Sequence, residues 1–397
     1  MASRESHRAF ALNNVRIFNG QSIAEPTTIF IEDGLIVTQV AGDAATIDGE
    51  GGVLLPGFID AHMHLNGEAE LHAMAKHGIT TALDMATFPA SKLDTLRSFK
   101  AKSEAAGVAV PDFRSPGTPA TSPGSTHSIL LSLPLEDFVS TPDDAGRFVQ
   151  GRLKQGADYI KIVADVPGPD QATINAIVEE AHKHDKLVIA HASESVPYEM
   201  ALKSKADIIT HVPVDKPLSP ELCGRMAGEG RIAVPTLVMM EAVTGALSFW
   251  SLLRMLLQPI TLFKIIKIQR QKPARTGKPN YQNAKQSVTN LHRAGVPILC
   301  GTDAHEEASS PFSVKHGPSL HRELELLVDA GLMNLEALHA MTSLPAKYFR
   351  LGDRGSIEVG KRADLVLLKE GQDPLLDIRA TRAIKRVWCA GIEVDLL

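Results

Sequence analysis

The sequence predicts an α/β protein: a (β/α)8 TIM barrel with a small composite β-sandwich domain built from both ends of the chain. Three observations predict it. The middle of the chain alternates short apolar runs with amphipathic helical patterns, the signature of βα units around a parallel sheet. The two ends carry strand-like alternation joined by turns. The length, 397 residues, exceeds an ordinary single domain but suits a barrel of about 250 residues with an appendage.

The first strands are expected at 15–18, 28–32 and 35–40, with Asp33-Gly34 between the last two. An Asp-Gly pair flanked by alternating apolar residues reads as a hairpin. The tail repeats the pattern in ADLVLL (363–368) and AIKRVWCAGIEV (383–394). Residues 1–56 and 352–397 are therefore assigned to one β domain, and 57–351 to the barrel. Within the barrel, strands are expected at 58–62, 80–85, 112–115, 159–163, 187–191, 208–211, 232–237 and 298–302, with helices such as 170–184 and 319–330 between them. One stretch breaks the rhythm: 246–268, ALSFWSLLRMLLQPITLFKIIKI, is long and apolar. Arg254, Pro259 and Lys264 interrupt it, so no membrane span is expected there. It reads as helices packed on the barrel, with an active-site lid or a subunit interface as the sharper alternatives; its apolar faces point to a homo-oligomer.

Composition excludes several function classes. With 44% hydrophobic and 22% charged residues the chain is an ordinary globular one. A net charge of -5 without any Lys/Arg-rich block offers no footprint for nucleic acid or an anionic membrane. The opening MASRESHRAFALNN has no apolar core of a secretory signal, so a cytoplasmic protein is expected. The three cysteines, Cys223, Cys300 and Cys389, have no CxxC spacing and read as free thiols.

The chemistry is carried by residues at strand ends. His62 and His64 follow the first barrel strand in GFIDAHMHL, and residues two apart in extended chain share a face, so both imidazoles can reach one metal. A chance HxH is common among 15 histidines, and His182-Lys-His184 at the end of a helix pattern is an internal control, since positions two apart diverge on a helix. What distinguishes His62 and His64 is their company: Lys161 in YIKIV, His191 ending LVIAH, His211 ending DIITH, and Asp303 after ILCGT. All fall at or near the C-terminal ends of expected strands, where barrel active sites are assembled.

This set, with LLPGFIDAHMHL, VPTLVM, NLHRAGVPILCGTDA, ELELLVDAGLMNLEALHAMTSLPAKYF and GSIEVGKRADLVLLKEGQDPL, resembles the amidohydrolase superfamily, in its imidazolonepropionase-like and Xaa-Pro dipeptidase (prolidase)-like branch. The resemblance covers nearly the whole chain. It implies a binuclear centre: His62, His64 and Asp303 on the more buried metal, His191 and His211 on the second, and a carboxylated Lys161 bridging the two. A carbamate suits that place because it brings negative charge and two oxygen ligands between two cations. Two divalent ions are implied, with zinc favoured by the imidazole and carboxylate ligands. The implied reaction is attack of a metal-bridging hydroxide on an amide-type carbon, with Asp303 moving the proton to the leaving amine.

The substrate is expected to be a small molecule: an N-acyl amino acid, an Xaa-Pro-like dipeptide or a cyclic amide. Deamination, lactone hydrolysis or decarboxylation at the same metals, and a non-catalytic scaffold derived from a hydrolase, are the alternatives. Substrate contacts are expected from His127, in the loop SPGSTHS, and from Tyr281 before the last strand. Secondary candidates are His305, Glu306 and His316; His321 reads as a plain helix residue and Thr236 as packing in the barrel interior.

Overall fold

The computed structural model describes residues 9–40, 44–131, 133, 137–245, 263–264, 267–268, 277–306 and 312–397. Apart from 263–264 and 267–268, the apolar stretch 246–268 lies outside the described residues, and so does its reading as a lid or interface. Among the described residues no helix is long and apolar enough to cross a membrane.

The chain opens with β1 (Ala9–Phe18), β2 (Ile23–Glu32), β3 (Leu35–Val37), β4 (Ala45–Asp48) and β5 (Val53–Pro56). The hairpin between β2 and β3 turns through Asp33 (φ 49°) and Gly34 (φ 80°), the two successive positive φ values that a tight twisted hairpin demands. β1 and β2 are longer than the alternation foretold, because bulges near Leu12/Val15 and Arg16/Phe18 break the pattern within one continuous ladder.

Seven barrel strands follow: β6 (Phe58–Met63), β7 (Ile79–Asp84), β8 (Asp112–Arg114), β9 (Ile160–Val163), β10 (Val188–His191), β11 (Ile208–Thr210) and β12 (Ile232–Val234). β6 to β8 and β9 to β12 each form a parallel sheet with neighbours in chain order. Irregular segments close the ring. Ala120 exchanges two backbone hydrogen bonds with β9, donating to Lys161 O at 2.8 Å and accepting from Val163 N at 2.9 Å. The expected strand at 298–302 is not a regular one. It binds β12 through Leu299 N to Ala233 O (2.9 Å), and β6 through Ala61 N to Cys300 O (2.9 Å). Pro297 has no amide to donate, and beyond Cys300 the chain is tied to β6 by Thr302 N and Asp303 N, which donate to His62 O at 3.0 and 2.6 Å, and by Thr302 N and Oγ1, which donate to the Asp60 carboxylate at 3.1 and 2.7 Å.

Five helices matter for the site: α1 (Thr126–Leu131), α2 (Gln171–Lys183), α3 (Leu237–Thr244), α4 (Tyr281–Arg293) and α5 (Pro318–Asp329). α2 begins where the sequence places a cap: the Asp170 carboxylate accepts from Thr173 N at 2.8 Å. α5 starts with Pro318, whose missing amide costs nothing at a first turn.

The chain then returns through β13 (Leu365–Leu368), β14 (Ile384–Cys389) and β15 (Ile392–Glu393). They join the opening strands in the order β15-β14-β13-β5-β1-β2-β3, with β4 also on β1. A core separate from the barrel's gathers Phe10, Leu12, Ile31, Leu54, Leu365 and Trp388 from both chain ends. At the starts of β7 and β8, buried Arg354 donates to Thr81 Oγ1 (3.0 Å) and Asp112 Oδ2 (2.8 Å), pinning the returning chain to the end of the barrel away from the histidines.

Candidate metal centre

Strand geometry brings the sequence candidates together. His62 lies in β6 and His64 just beyond it, Lys161 in β9, His191 at the end of β10, His211 just past β11, and Asp303 in the segment that closes the ring. One oxygen of Asp303, Oδ1, is 3.3 Å from His62 Nε2 and 3.0 Å from His64 Nε2, while Oδ2 is 3.9 Å from His211 Nδ1. Five imidazoles run in a row: ring centres are 5.5 Å apart for His64–His62, 4.8 Å for His62–His211, 4.4 Å for His211–His191 and 4.3 Å for His191–His127.

The backbone is bent to achieve this. His211 (φ 70°), Thr236 (φ 50°) and Asp303 (φ 56°) are all left-handed, at the ends of three successive barrel segments. Each such residue costs on the order of 1–3 kcal/mol, and strain of this kind persists where surrounding contacts hold it for function. Gly301 is required for a different reason: a Cβ there would meet His62 N at 2.8 Å and Val234 Cγ1 at 2.5 Å. Only a glycine lets the Asp303 segment lie this close to β6.

Electrostatics favour cation ligation. Burial holds His62 and His191 well below the ordinary histidine range and drops His211 to about 3, so these imidazoles stay neutral, the form that binds metal. For His64 burial acts the same way, but the hydrogen bond and charge of Asp303 outweigh it and raise the pKa. Burial also tends to raise Asp303; its hydrogen bond with His62 and the surrounding imidazoles outweigh that and hold it well down, ionised. Burial lowers the Lys161 ammonium to about 7 against the pull of Asp303 and Asp84, which leaves a substantial fraction as free amine, the form that adds carbon dioxide. Lys161 Nζ donates to Thr210 Oγ1 at 3.0 Å.

The donor set fits a metal. Ligand atoms about 2.0–2.2 Å from one tetrahedral ion lie roughly 3.3–3.6 Å apart, close to the Asp303–His62 and Asp303–His64 separations. His191 Nε2 is buried without a hydrogen-bond partner among the described residues, an expensive condition for a polar atom in a site with no call on it. Two three-residue groups have mutually convergent donor atoms: His62, His64 and Asp303, and His127, Asp165 and His191.

The second group includes a residue that the sequence reading missed. His127 opens α1 rather than sitting in a loop, because Ser125 and Ser128 knit the turn through Ser125 Oγ and O, and its Nδ1 lies 2.7 Å from Asp165 Oδ2. Asp165 is buried two residues beyond β9. Asp60 and Asp84 were also missed. Asp60 ties His62 N to Thr302, and Asp84 accepts from Leu65 N (3.0 Å) and Thr87 Oγ1 (2.8 Å). Asp60 is visible in the motif itself, two residues before His62; nothing local marks its partner.

Tyr281 is the first residue of α4, half-buried, with its hydroxyl lacking a partner among the described residues and its pKa raised by burial and by Glu323 and Glu241 nearby. The described contacts place it beside α3 and α5 rather than in the row of imidazoles. His305 bonds Asp303 O at 2.9 Å; buried His316 lies 2.9 Å from His64 O and 3.1 Å from Glu306, so these three brace the ligand segments from behind. His321 is a buried helix residue bonded to Thr381. Thr236 does more than pack: its Oγ1 is 2.7 Å from His211 Nδ1.

The chain is 26% identical to an enamidase from Eubacterium barkeri over 217 residues, 48% of this chain and 52% of that protein, so the match spans about half of the relative. A match to a Thermus aquaticus dihydroorotase, 30% identical, covers 26% of that protein. Among solved structures, a putative prolidase from Bifidobacterium longum superposes with a TM-score of 0.74 at 27% identity, covering 98% of this chain and 95% of that one. A Xaa-Pro dipeptidase with bound methionine has the same fold, with a TM-score of 0.72 at 21% identity over 97% of this chain and 99% of that one. Residues 53–394, the whole barrel and the returning strands, match the amidohydrolase family, and the chain is a member of it.

Proposed function

We propose that this amidohydrolase cleaves an amide-type C–N bond in a small molecule, at a centre of two divalent ions for which zinc is the favoured occupant. Membership of the amidohydrolase family supports metal-dependent hydrolysis of C–N bonds; the ligand assignment and the substrate are our reading. His62, His64 and Asp303 would hold the inner ion, His191 and His211 the outer one, and Lys161, as its carbamate, would bridge them. Bound ions would supply a nucleophilic water near neutral pH and polarise the scissile carbonyl. Asp303 accepts a proton at its carboxylate and hands it to the departing amine, a task suited to a carboxylate set among imidazoles. His127, steadied at Nδ1 by Asp165, presents Nε2 to substrate oxygen.

The observation that carries this reading is the single Asp303 oxygen shared by two imidazoles from β6, with a third imidazole on its other oxygen. The enamidase and prolidase resemblances support N-acyl amino acids, Xaa-Pro-like dipeptides and cyclic amides as the first substrates to test. Zinc-loaded protein would be assayed for release of free amine from each class, with and without a chelator. Turnover of one class that the chelator stops is the expected result. Failure of loaded protein on every amide, with ammonia released from a heterocycle or carbon dioxide from an acid, would overturn it.

A further inference from the structure

Helix α3 starts in an unusual way. Thr236 occupies its N-cap position, where a threonine hydroxyl ordinarily accepts a hydrogen bond from one of the first free amides. Here Thr236 is left-handed (φ 50°, ψ 48°) and makes no side-chain cap bond. Its hydroxyl is instead 2.7 Å from His211 Nδ1. The free amides of the first turn go instead to a distant carboxylate: Glu323, from α5, accepts from Leu237 N at 2.9 Å through Oε1 and, through Oε2 at 2.7 Å, from Val238 N, the second-position amide that a cap hydroxyl ordinarily serves. Thr236 and Glu323 are both 0% exposed, and His211 2%.

Among the described residues no cation forms an ion pair with the buried Glu323 carboxylate, and burial pushes its pKa up to about 8. Capping alone does not explain the expense, since Thr236 already stands at the cap position with a suitable hydroxyl. The two interactions compete for that hydroxyl. Were it turned to the helix, His211 Nδ1 would lose its partner, and nothing would fix which nitrogen carries the proton or how the ring is oriented.

We propose that Glu323 is a positioning residue for the metal centre: by capping α3 in place of Thr236, it frees the threonine hydroxyl to lock His211 and reserve its Nε2 for the outer ion. The inference rests on the reading of His211 as a ligand. A backbone bond from His211 N to Val234 O (2.8 Å) ties the same two strand ends together, so the lock acts on a ring whose main chain is already fixed.

The test is zinc affinity, measured by elemental analysis after equilibration in metal-buffered solutions, with the visible spectrum of the cobalt-substituted protein as a second readout. Wild type is compared with Thr236→Val, Thr236→Ser, Glu323→Ala and Glu323→Gln. Outer-shell partners of this kind are typically worth about 10–100-fold in metal affinity. Thr236→Val and Glu323→Ala are expected to weaken one of the two ions by that factor and leave the other, with Thr236→Ser near wild type and Glu323→Gln between. If Glu323→Ala does not fold, Glu323→Gln and the Thr236 pair decide. Wild-type affinity and cobalt spectrum in folded Glu323 variants, or in Thr236→Val, would overturn the inference while leaving the metal centre intact. A wild type unable to hold two ions would overturn the centre itself, and the role of Glu323 with it.

Discussion

Replacing Gly301 by alanine tests the close approach on which the site depends. The added Cβ would lie 2.5 Å from Val234 Cγ1, 2.8 Å from His62 N and 2.9 Å from His62 Cβ. Unstrained contacts of this type need about 3.5 Å, and only the valine methyl can move aside cheaply. The remaining overlap, roughly half an ångström, has to be relieved by pushing the 298–304 segment off β6. That motion stretches the bonds from Thr302 N and Asp303 N to His62 O, now 3.0 and 2.6 Å, and carries Asp303 away from the two imidazoles. Overpacking of this sort costs about 1–3 kcal/mol. Because no positive φ is involved at Gly301, the whole effect is steric. Urea unfolding and bound-metal analysis of Gly301→Ala should show a destabilisation of that size together with weaker metal retention. A variant with the wild-type unfolding midpoint and full metal content would show that the segment does not lie against β6 as described.

Other consequences can be measured with the same protein. Arg354→Leu removes the nearest of three cations on the buried Asp112 carboxylate, leaving Arg114 at 3.3 Å and Lys100 at 3.4 Å, and should cost about 1–3 kcal/mol in urea unfolding with the metal ligands untouched; an unchanged unfolding midpoint would contradict the burial of that pair. Asp165→Asn removes the charged partner of His127 Nδ1, and kcat/KM should fall about tenfold, mainly through KM, while bound metal is unchanged. Glu323 has a folded pKa near 8, above its unfolded value near 4.3, so the folded state retains a proton that the unfolded state releases. Its contribution to stability is complete below about pH 4.3 and is lost as pH rises to 8; unfolding midpoints of wild type and Glu323→Gln from pH 5 to 8.5 should diverge in slope accordingly, and parallel curves would refute the buried carboxylate.

Much of this site is legible in the sequence because strand geometry is local. His62 and His64 share a face as a consequence of the two-residue period, and Lys161, His191, His211 and Asp303 are found by asking what ends each apolar run. The Asp33-Gly34 turn is legible for the same reason: its backbone demand is written in two residues. What the sequence hides is pairing between distant parts of the chain. Asp60 meets Thr302 across 242 positions and Glu323 meets Leu237 across 86, and no local pattern says that a carboxylate in a helix or strand will be buried on such a partner. The run at 298–302 reads as a strand from its apolar residues, yet a ladder also needs donors and a neighbour in register, and Pro297 and the close approach of Gly301 deny it a regular one. The stretch SPGSTHS around His127 reads as a loop, yet its serines start α1. Thr236 reads as packing because a residue of the seventh strand can face the barrel interior, and only the position of His211 reveals its hydroxyl as a partner.

The central claim is a two-metal centre bridged through Lys161, and elemental analysis of freshly purified wild type beside Lys161→Ala tests it most directly. The account predicts about two divalent transition-metal ions per wild-type chain, falling in the variant. One ion in both proteins, or none after reconstitution, would contradict it.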